Sequence, residues 1–338
     1  MDANLVSAFR GDGSPAEPAL LPATVPGVTV AICTYRRPES LLRLLRSILA
    51  QDRAPERILI ADASPDDATE RALRGDAVTA AFGARLTYLR VTAAHRGLTR
   101  QRNLILDRAP TSLTAFFDDD VVLLDGCLRE LEAVHRADPA VMGVGAYIEN
   151  QFSPPTTIWR LRRLLGALPS LAPGRYTRSG YSTPWSFLPP GPACVDGDWL
   201  PGGATMWRTA AARAERFNEA FEHYGSGEDL DFSLRAAAHG RLVLCGRARV
   251  LHLHDASGRP EARELALTHS RNAYRMHRAH LHDRDWRDAT RFFYAFALDT
   301  AVRTVDLLRP RHARDAARYL AGRLAFVGEL LRTGGTGR

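Results

Sequence analysis

Apolar residues fall into two alternating rhythms along the first half of the chain. Val28-Thr29-Val30-Ala31-Ile32-Cys33 is a β-branched apolar run of the kind that forms a strand buried on both faces. After the loop Thr34-Tyr35-Arg36-Arg37, Pro38 opens a segment whose Leu41, Leu42, Leu44, Leu45, Ile48 and Leu49 share one helical face. Arg57 to Asp62 is a second strand, followed by the turn Ser64-Pro65-Asp66. Arg85 to Val91 is a third strand, and Gly97 to Arg108 a helix. Leu113 to Asp118 is a fourth strand that runs into Asp118-Asp119-Asp120. A helix at about 126–136 and a strand at about 140–148 continue the alternation. Strand–helix alternation of this kind predicts βαβ units around a parallel sheet with right-handed crossovers.

The rhythm then breaks. Residues 150–197 are rich in Pro and Gly and are expected to form irregular structure, read as a wall or lid on the acceptor side, with a disordered insertion as the alternative. Leu200-Pro201-Gly202-Gly203 precedes an apolar run, and the paired glycines would let backbone approach a ligand closely. Gly227 opens a helix with Glu228, Asp229 and Asp231 in its first turn. The dipole alone favours acids there, and Asp231 with Arg235 at i, i+4 reads as a structural ion pair. Val250 to His254 is a strand that places His252 and His254 on one face. From Pro260 onward the pattern is helical and basic, with segments near 286–308 and 311–332.

Composition changes this picture little. The chain has 338 residues, 45% of them hydrophobic, which is ordinary for a folded protein able to bury a sizeable core. The net charge is +7 and the pI about 9.6. The cations are all arginine and are spread along the chain, so no nucleic-acid stripe emerges. Four separated cysteines without a CxxC pair exclude a zinc site or a disulfide framework, and a cytoplasmic setting is expected. No signal peptide is visible, and the most apolar stretch, Phe292 to Leu308, is interrupted by Asp299, Arg303 and Asp306.

The chemistry concentrates on the Asp triplet. On an extended segment Asp118 and Asp120 point the same way, and two such oxygens suit Mg²⁺ or Mn²⁺. In open α/β sheets ligands gather at the carboxyl ends of strands, where the triplet lies. An acidic loop capping the next helix near Asp125 is the structural alternative. Arg96, Arg100 and Arg102, with Asn103, stand in the first turns of one helix, where they can reach a diphosphate or simply form a solvated face.

Together, the strand ending at Thr34, Asp62, Arg102-Asn103, the Asp triplet, Gly202-Gly203, Gly227-Glu228-Asp229 and a later His resemble the family 2 glycosyltransferases of GT-A fold. The resemblance spans about 28–257. It implies an α/β, GT-A (Rossmann-like), mostly parallel sheet flanked by helices, with a C-terminal helical appendage. The expected layout is a flexible tail over 1–27, a transferase domain over 28–257 and helices over 258–332. Within the domain, 28–123 forms the nucleotide-binding half and 124–257 the acceptor and catalytic half. The implied reaction is metal-dependent, inverting transfer of a sugar from a nucleotide diphospho-sugar to an acceptor hydroxyl. Asp120, Asp118 and His252 would hold the divalent cation (Mn or Mg); His252 stands five residues before Ser257, as in the family's spacing, and His254 is its rival. Thr34, Arg36, Asp62, Arg96, Arg100, Arg102, Asn103, Asp118, Asp119 and Gly203 would form the donor site. Asp229 would be the general base, and Glu228 would orient the acceptor or its loop.

Competing readings are a sugar nucleotidyltransferase and a non-catalytic nucleotide-sugar-binding scaffold. The first would show a Gly-rich loop with Arg and a following Lys after the first strand, and this chain has neither there. The C-terminal Arg-rich helices, with Trp286, Phe292, Phe293 and Tyr294, are expected to meet a membrane surface and a lipid-linked acceptor, a partner copy, or the catalytic domain.

Overall fold

The computed structural model of the protein describes residues 6–10, 24–168, 170–221, 226–254, 261–281, 286–308 and 313–332. In chain order the first elements are β1 (Val6–Arg10), β2 (Thr24–Thr34), α1 (Pro38–Leu49), β3 (Ala54–Asp62), α2 (Ala68–Gly75), α3 (Ala77–Phe82), β4 (Leu86–Val91) and α4 (Leu98–Arg108). There follow β5 (Leu113–Asp118), β6 (Val121–Leu123), α5 (Cys127–Ala137), β7 (Val141–Ile148), α6 (Thr157–Leu164), β8 (Cys194–Gly197) and β9 (Ala204–Arg208). The last are α7 (Thr209–Glu215), α8 (Glu228–Ala236), β10 (Arg241–His252), α9 (Ala262–His280), α10 (Trp286–Thr304) and α11 (Ala313–Arg332). Two compact units result, one of residues 1–152 with 189–258, the other of 153–188 with 259–338.

The first unit is built on a mixed sheet in the order β1-β4-β3-β2-β5-β9-β7-β10-β6, with β8 beside β10. Strands β4, β3, β2 and β5 run parallel, as the alternation with helices requires. Their register aligns the carboxyl ends. Thr34 pairs with Asp62, and Cys33 with Asp118, so the three polar termini expected from sequence arrive at one edge. The core lies where the apolar runs meet: Val30, Ile32, Ile58 and Ile60 from the strands against Leu41, Leu44, Leu45 and Ile48 of α1. Full burial of each such side chain contributes roughly 1.5–3 kcal/mol. That is ample reason for α1 to keep its apolar face on the sheet.

Order begins earlier than the sequence suggests. Val6–Arg10, expected in an unordered tail, pairs antiparallel with β4 as an edge strand, and β2 starts at Thr24. A short edge strand needs only backbone partners, so the Ala- and Pro-rich flanks conceal it.

The second unit contains α6 and α9–α11. Its small core is Phe292, Phe296 and Phe326, with Tyr274 packed against it. Asp299 of α10 is buried among Arg162, Arg303 and Arg323, the last at 2.7 Å. This accounts for Asp299 and Arg303, two of the charges that interrupt the apolar stretch at 292–308. No helix of the described residues is long and apolar enough to cross a membrane. The irregular stretch after position 150 therefore divides. Residues 153–188 group with the C-terminal helices and include α6, where the sequence promised only loop.

One buried titratable group makes the fold of the first unit pH-sensitive. His135 of α5 is almost fully buried, and its Nε2 lies 3.1 Å from Met206 O. Burial lowers its pKa from 6.5 to about 4. The unfolded chain thus binds the proton first as pH falls, and stability is lost from about pH 6.5 down to about pH 4. Between pH 7 and pH 5 this residue alone should cost about 2 kcal/mol. Urea unfolding at both pH values should show that difference shrinking by a similar amount in His135→Gln.

Candidate active site

The site sits at the carboxyl ends of β2, β3 and β5 and is closed by the approach to β9, the start of α8 and the end of β10. The Asp triplet turns sharply after β5, and its carboxylates diverge as extended geometry predicts. Asp118 keeps 36% of its side chain exposed, against 5% for Asp119 and 6% for Asp120, so it is the one that faces outward. Asp119 points back into the fold. It accepts from Thr34 Oγ1 at 2.7 Å and from Arg37 Nη1 at 3.2 Å. Burial pushes its pKa up to about 7, with the Thr34 hydroxyl and Arg37 pulling the other way.

Asp118, Asp120 and His252 form a cluster whose donor atoms all lie within 4.8 Å of one another. Asp120 Oδ1 is 3.0 Å from His252 Nε2. The backbone enforces this meeting: β6 pairs antiparallel with β10, setting His252 opposite Val121, and Leu253 N donates to Asp120 O at 3.0 Å. Asn150 grips the His252 backbone through both its N–H and its C=O, at 3.0 and 2.8 Å. Gln151 Nε2 lies 3.3 Å from His252 Nδ1 and 2.8 Å from His254 Nε2. The two imidazoles stack, with centroids 4.2 Å apart, but the cluster takes His252 and leaves His254 outside. Ser257, which suggested this choice, lies outside the described residues. Two carboxylates and an imidazole at this spacing suit a Mn²⁺-like cation, whose ligands are oxygen with some nitrogen.

Arg102 is placed differently from the expectation. It is fully buried, its Nη1 donating to Glu228 Oε1 at 2.9 Å and its Nη2 to Asp118 Oδ1 at 3.3 Å and Gly202 O at 3.2 Å. Its guanidinium also lies 5.1 Å from the Phe217 ring centroid. Against the burial that disfavours its charge, Glu228 and Asp118 raise its pKa. It acts as a clamp, with Nη1 and Nη2 turned to Glu228, Asp118 and Gly202 inside the fold. Asn103 likewise turns inward, accepting from Phe217 N and donating to Phe217 O and Glu219. Both residues lie on the face of α4 that packs on the fold, which the helix period alone does not reveal. Arg96 is exposed and Arg100, half-exposed, lies 3.5 Å from Glu219.

Other placements differ by one residue or in purpose. Arg36 adopts a left-handed φ of +57°, which sends its side chain out over Tyr35. Arg37 turns inward instead, reaching Asp119 at 3.2 Å and Asp120 at 3.7 Å. Asp62 is fully buried and accepts from Ser64 N and Tyr88 Oη, at 2.7 and 2.8 Å. Gln101, overlooked in sequence because it is one polar residue on a polar helix, donates to Thr34 O and Ala61 O and so ties β2 to β3. Asn150, Gln151 and Tyr88 carried no motif either.

The paired glycines make room for carboxylates. A Cβ at Gly203 would overlap Asp118 Oδ2 and lie 2.9 Å from its Cγ; one at Gly202 would lie 2.9 Å from Asp229 Cβ. Gly203 O also accepts from Asp118 N at 3.0 Å. Asp229, half-buried in the first turn of α8, accepts from Gly202 N at 3.1 Å and from Leu230 N at 2.8 Å, which fixes its orientation. Burial raises its pKa, as it does that of Glu228, where the neighbouring Asp229 adds to the effect and Arg102 opposes it. Asp231 and Arg235 form the expected structural pair at 2.9 Å.

Arg102→Met should leave Glu228 and Asp118 without their buried cation and cost roughly 3–5 kcal/mol in chemical denaturation. Arg96→Ala, at an exposed position, should change stability by less than about 0.5 kcal/mol. Gly203→Ala should displace Asp118 and weaken Mn²⁺ binding at least tenfold (on the order of the loss of one ligand's orientation) while the far-UV spectrum stays unchanged. Calorimetric titration with Mn²⁺ measures it.

Comparison with known proteins places this geometry. Residues 29–188 match the family model described as Glycosyl transferase family 2. The succinoglycan biosynthesis protein ExoM of Rhizobium meliloti (strain 1021) is 29% identical over 159 residues, which is 46% of this chain and 49% of ExoM. The chain thus spans about half the length of that curated relative. Among solved structures, the mannosyltransferase PcManGT from Pyrobaculum calidifontis, in complex with GDP-Man and Mn²⁺, superposes with a TM-score of 0.55 at 16% identity. The match covers 94% of this chain and 91% of PcManGT. GalNAc-T7 with UDP, GalNAc and Mn²⁺ gives a TM-score of 0.54 at 14% identity, over 73% of this chain and 47% of its own. Such identities establish the fold and no more. Residues 29–188 thus match the model of glycosyl transferase family 2, on a fold shared with PcManGT and GalNAc-T7.

Proposed function

We propose that this protein transfers a sugar from a nucleotide diphospho-sugar to an acceptor hydroxyl, with inversion at the anomeric carbon. The observation that carries the reading is the cluster of Asp118, Asp120 and His252, with Asp118 against Gly203 and Asp229 held by the adjoining Gly202. A divalent cation held by Asp118, Asp120 and His252 would supply Lewis-acid stabilisation of the departing nucleoside diphosphate. The structures of PcManGT and GalNAc-T7 contain Mn²⁺ with a nucleotide or nucleotide sugar, which supports both the donor class and the metal.

The protein's own groups do the remaining work. Asp229 accepts the proton of the attacking hydroxyl. Its two hydrogen bonds hold the carboxylate in place, and its raised pKa makes it a better base than a solvated aspartate. One base with direct displacement implies inversion. Glu228 acts one step removed: it holds Arg102, and Arg102 holds Asp118. Arg96, just before α4, and Arg100 in its first turn are the cations placed to meet the diphosphate, with Arg37 beside the Asp triplet. Thr34 and Asp62 shape the wall on which the nucleoside would rest.

Release of nucleoside diphosphate from a panel of nucleotide sugars, with and without Mn²⁺ or Mg²⁺, tests the proposal. One donor should be hydrolysed in a metal-dependent way, and Asp120→Ala should abolish the dependence. Asp229→Asn should bind that donor normally yet lose roughly 10²–10⁴-fold in turnover. Turnover by Asp229→Asn within tenfold of wild type would remove Asp229 as base. Failure to bind any nucleotide sugar or metal would leave the fold as a scaffold.

A further inference from the structure

Helix α6 is amphipathic in the inverse sense. A surface helix normally turns its aliphatic stripe inward and its charges outward. In α6 the inward residues are Trp159, which meets Phe187 edge-on with centroids 5.1 Å apart, and Arg162, which pairs with Asp299 of α10. Ile158, Leu161, Leu164 and the following Leu165 recur at i, i+3, i+6 and i+7 and so occupy the other face. All are exposed, from 41% for Ile158 to 81% for Leu164, and no residue of the helix is buried. Tyr294 of α10, itself exposed, donates its hydroxyl to Leu165 O at 2.6 Å and continues the patch.

The charges on the segment that carries this face are of one sign. Between Glu149 and Asp196 the sequence has no Asp or Glu, and its arginines include Arg160 and Arg163, both exposed on α6. A second copy related by a two-fold axis would set these arginines near their own symmetry mates, with no carboxylate on the helix to separate them. With eight residues, α6 is too short to span a bilayer. A surface of anionic lipid satisfies both features: the headgroup–acyl boundary takes the aliphatic stripe and the phosphates take the arginines.

We propose that α6, with Leu165 and Tyr294, is a docking face for an anionic membrane, on which the helix lies in the plane of the interface. The inference stands on the second unit alone and does not depend on the transferase reading. It relocates the membrane contact expected of the C-terminal helices, where Phe292 is buried in the core.

Flotation of the purified full chain with vesicles of equal parts phosphatidylcholine and phosphatidylglycerol, against phosphatidylcholine alone, provides the test. The protein should float with the anionic vesicles and not with the neutral ones. Leu161→Asp with Leu164→Asp should lower the partition coefficient by roughly tenfold or more. Arg160→Gln and Arg163→Gln should each lower it by roughly fivefold, and high salt should reproduce their effect. All four side chains are exposed, so the variants should unfold at the wild-type temperature, and their donor hydrolysis should be unchanged. A wild-type protein left in the lipid-free fraction, or folded Leu variants that float as well as wild type, would overturn the proposal. So would sedimentation equilibrium showing a dimer that Leu164→Asp dissociates in a protein that ignores vesicles.

Discussion

A buried arginine is the constraint on which the site depends. Arg102 carries its charge into the interior, where an unpaired cation would cost several kcal/mol, so the fold must bring acceptors to it. It draws them from three directions: Asp118 at the end of β5, Glu228 at the start of α8 and Gly202 O on the approach to β9. Its guanidinium lies over Phe116 and Phe217, which meet edge-on, and Phe232 stacks on Phe217 at 4.1 Å. Segments more than a hundred positions apart are thereby held to a common geometry. The carboxylates proposed to hold the cation and to take the proton, Asp118 and Asp229, are neighbours of this clamp.

Around the clamp, close approach replaces side-chain volume. Gly202 and Gly203 let backbone pass directly beneath Asp118 and Asp229, and their own N–H and C=O groups orient those residues. A hydrogen-bonded carboxylate loses little freedom when it takes a ligand or a proton, which is the physical content of preorganisation. The opposite wall works in the same manner. Asn150 and Gln151, at the end of β7, hold His252 against Asp120, while β6 and β10 set the register. Each of these candidate groups is thus held by a second residue through hydrogen bonds.

The two units follow different rules. In the first, polar residues are buried in hydrogen-bonded pairs at the ends of strands. In the second, charges such as Asp299 and Asp288 are buried among arginines, and large apolar side chains remain outside on α6 and along α11, where Leu324 and Leu331 are exposed. That distribution is poor for an isolated surface and well suited to a partner that is apolar and negatively charged.

Periodicity sufficed for β2, β3, β4, β5 and β7 and for α1, α4 and α8, because burial on two faces or on one stripe leaves a repeat that no tertiary context has to supply; of β10 only the end near Val250 was read. Carboxylates at strand ends were legible for the same reason: Asp62, Asp118 and Asp120 interrupt apolar runs where a parallel sheet presents its ligand edge. Which way each polar side chain turns was not legible. A helix carries Arg100 and Arg102 within one turn, and only packing decides that the second is buried against Glu228 while the first stays half-exposed. One left-handed residue exchanges Arg36 for Arg37 at the Asp triplet. A hydrogen-bonded ladder selects His252 over His254. Short irregular pieces, β1 and the segment holding α6, have too few residues to show a period, so their partners are set by the tertiary structure. The sequence by itself determined the sheet, its ligand edge and the family resemblance; the tertiary structure decided which side chains face that edge, because orientation depends on contacts between residues far apart in the chain.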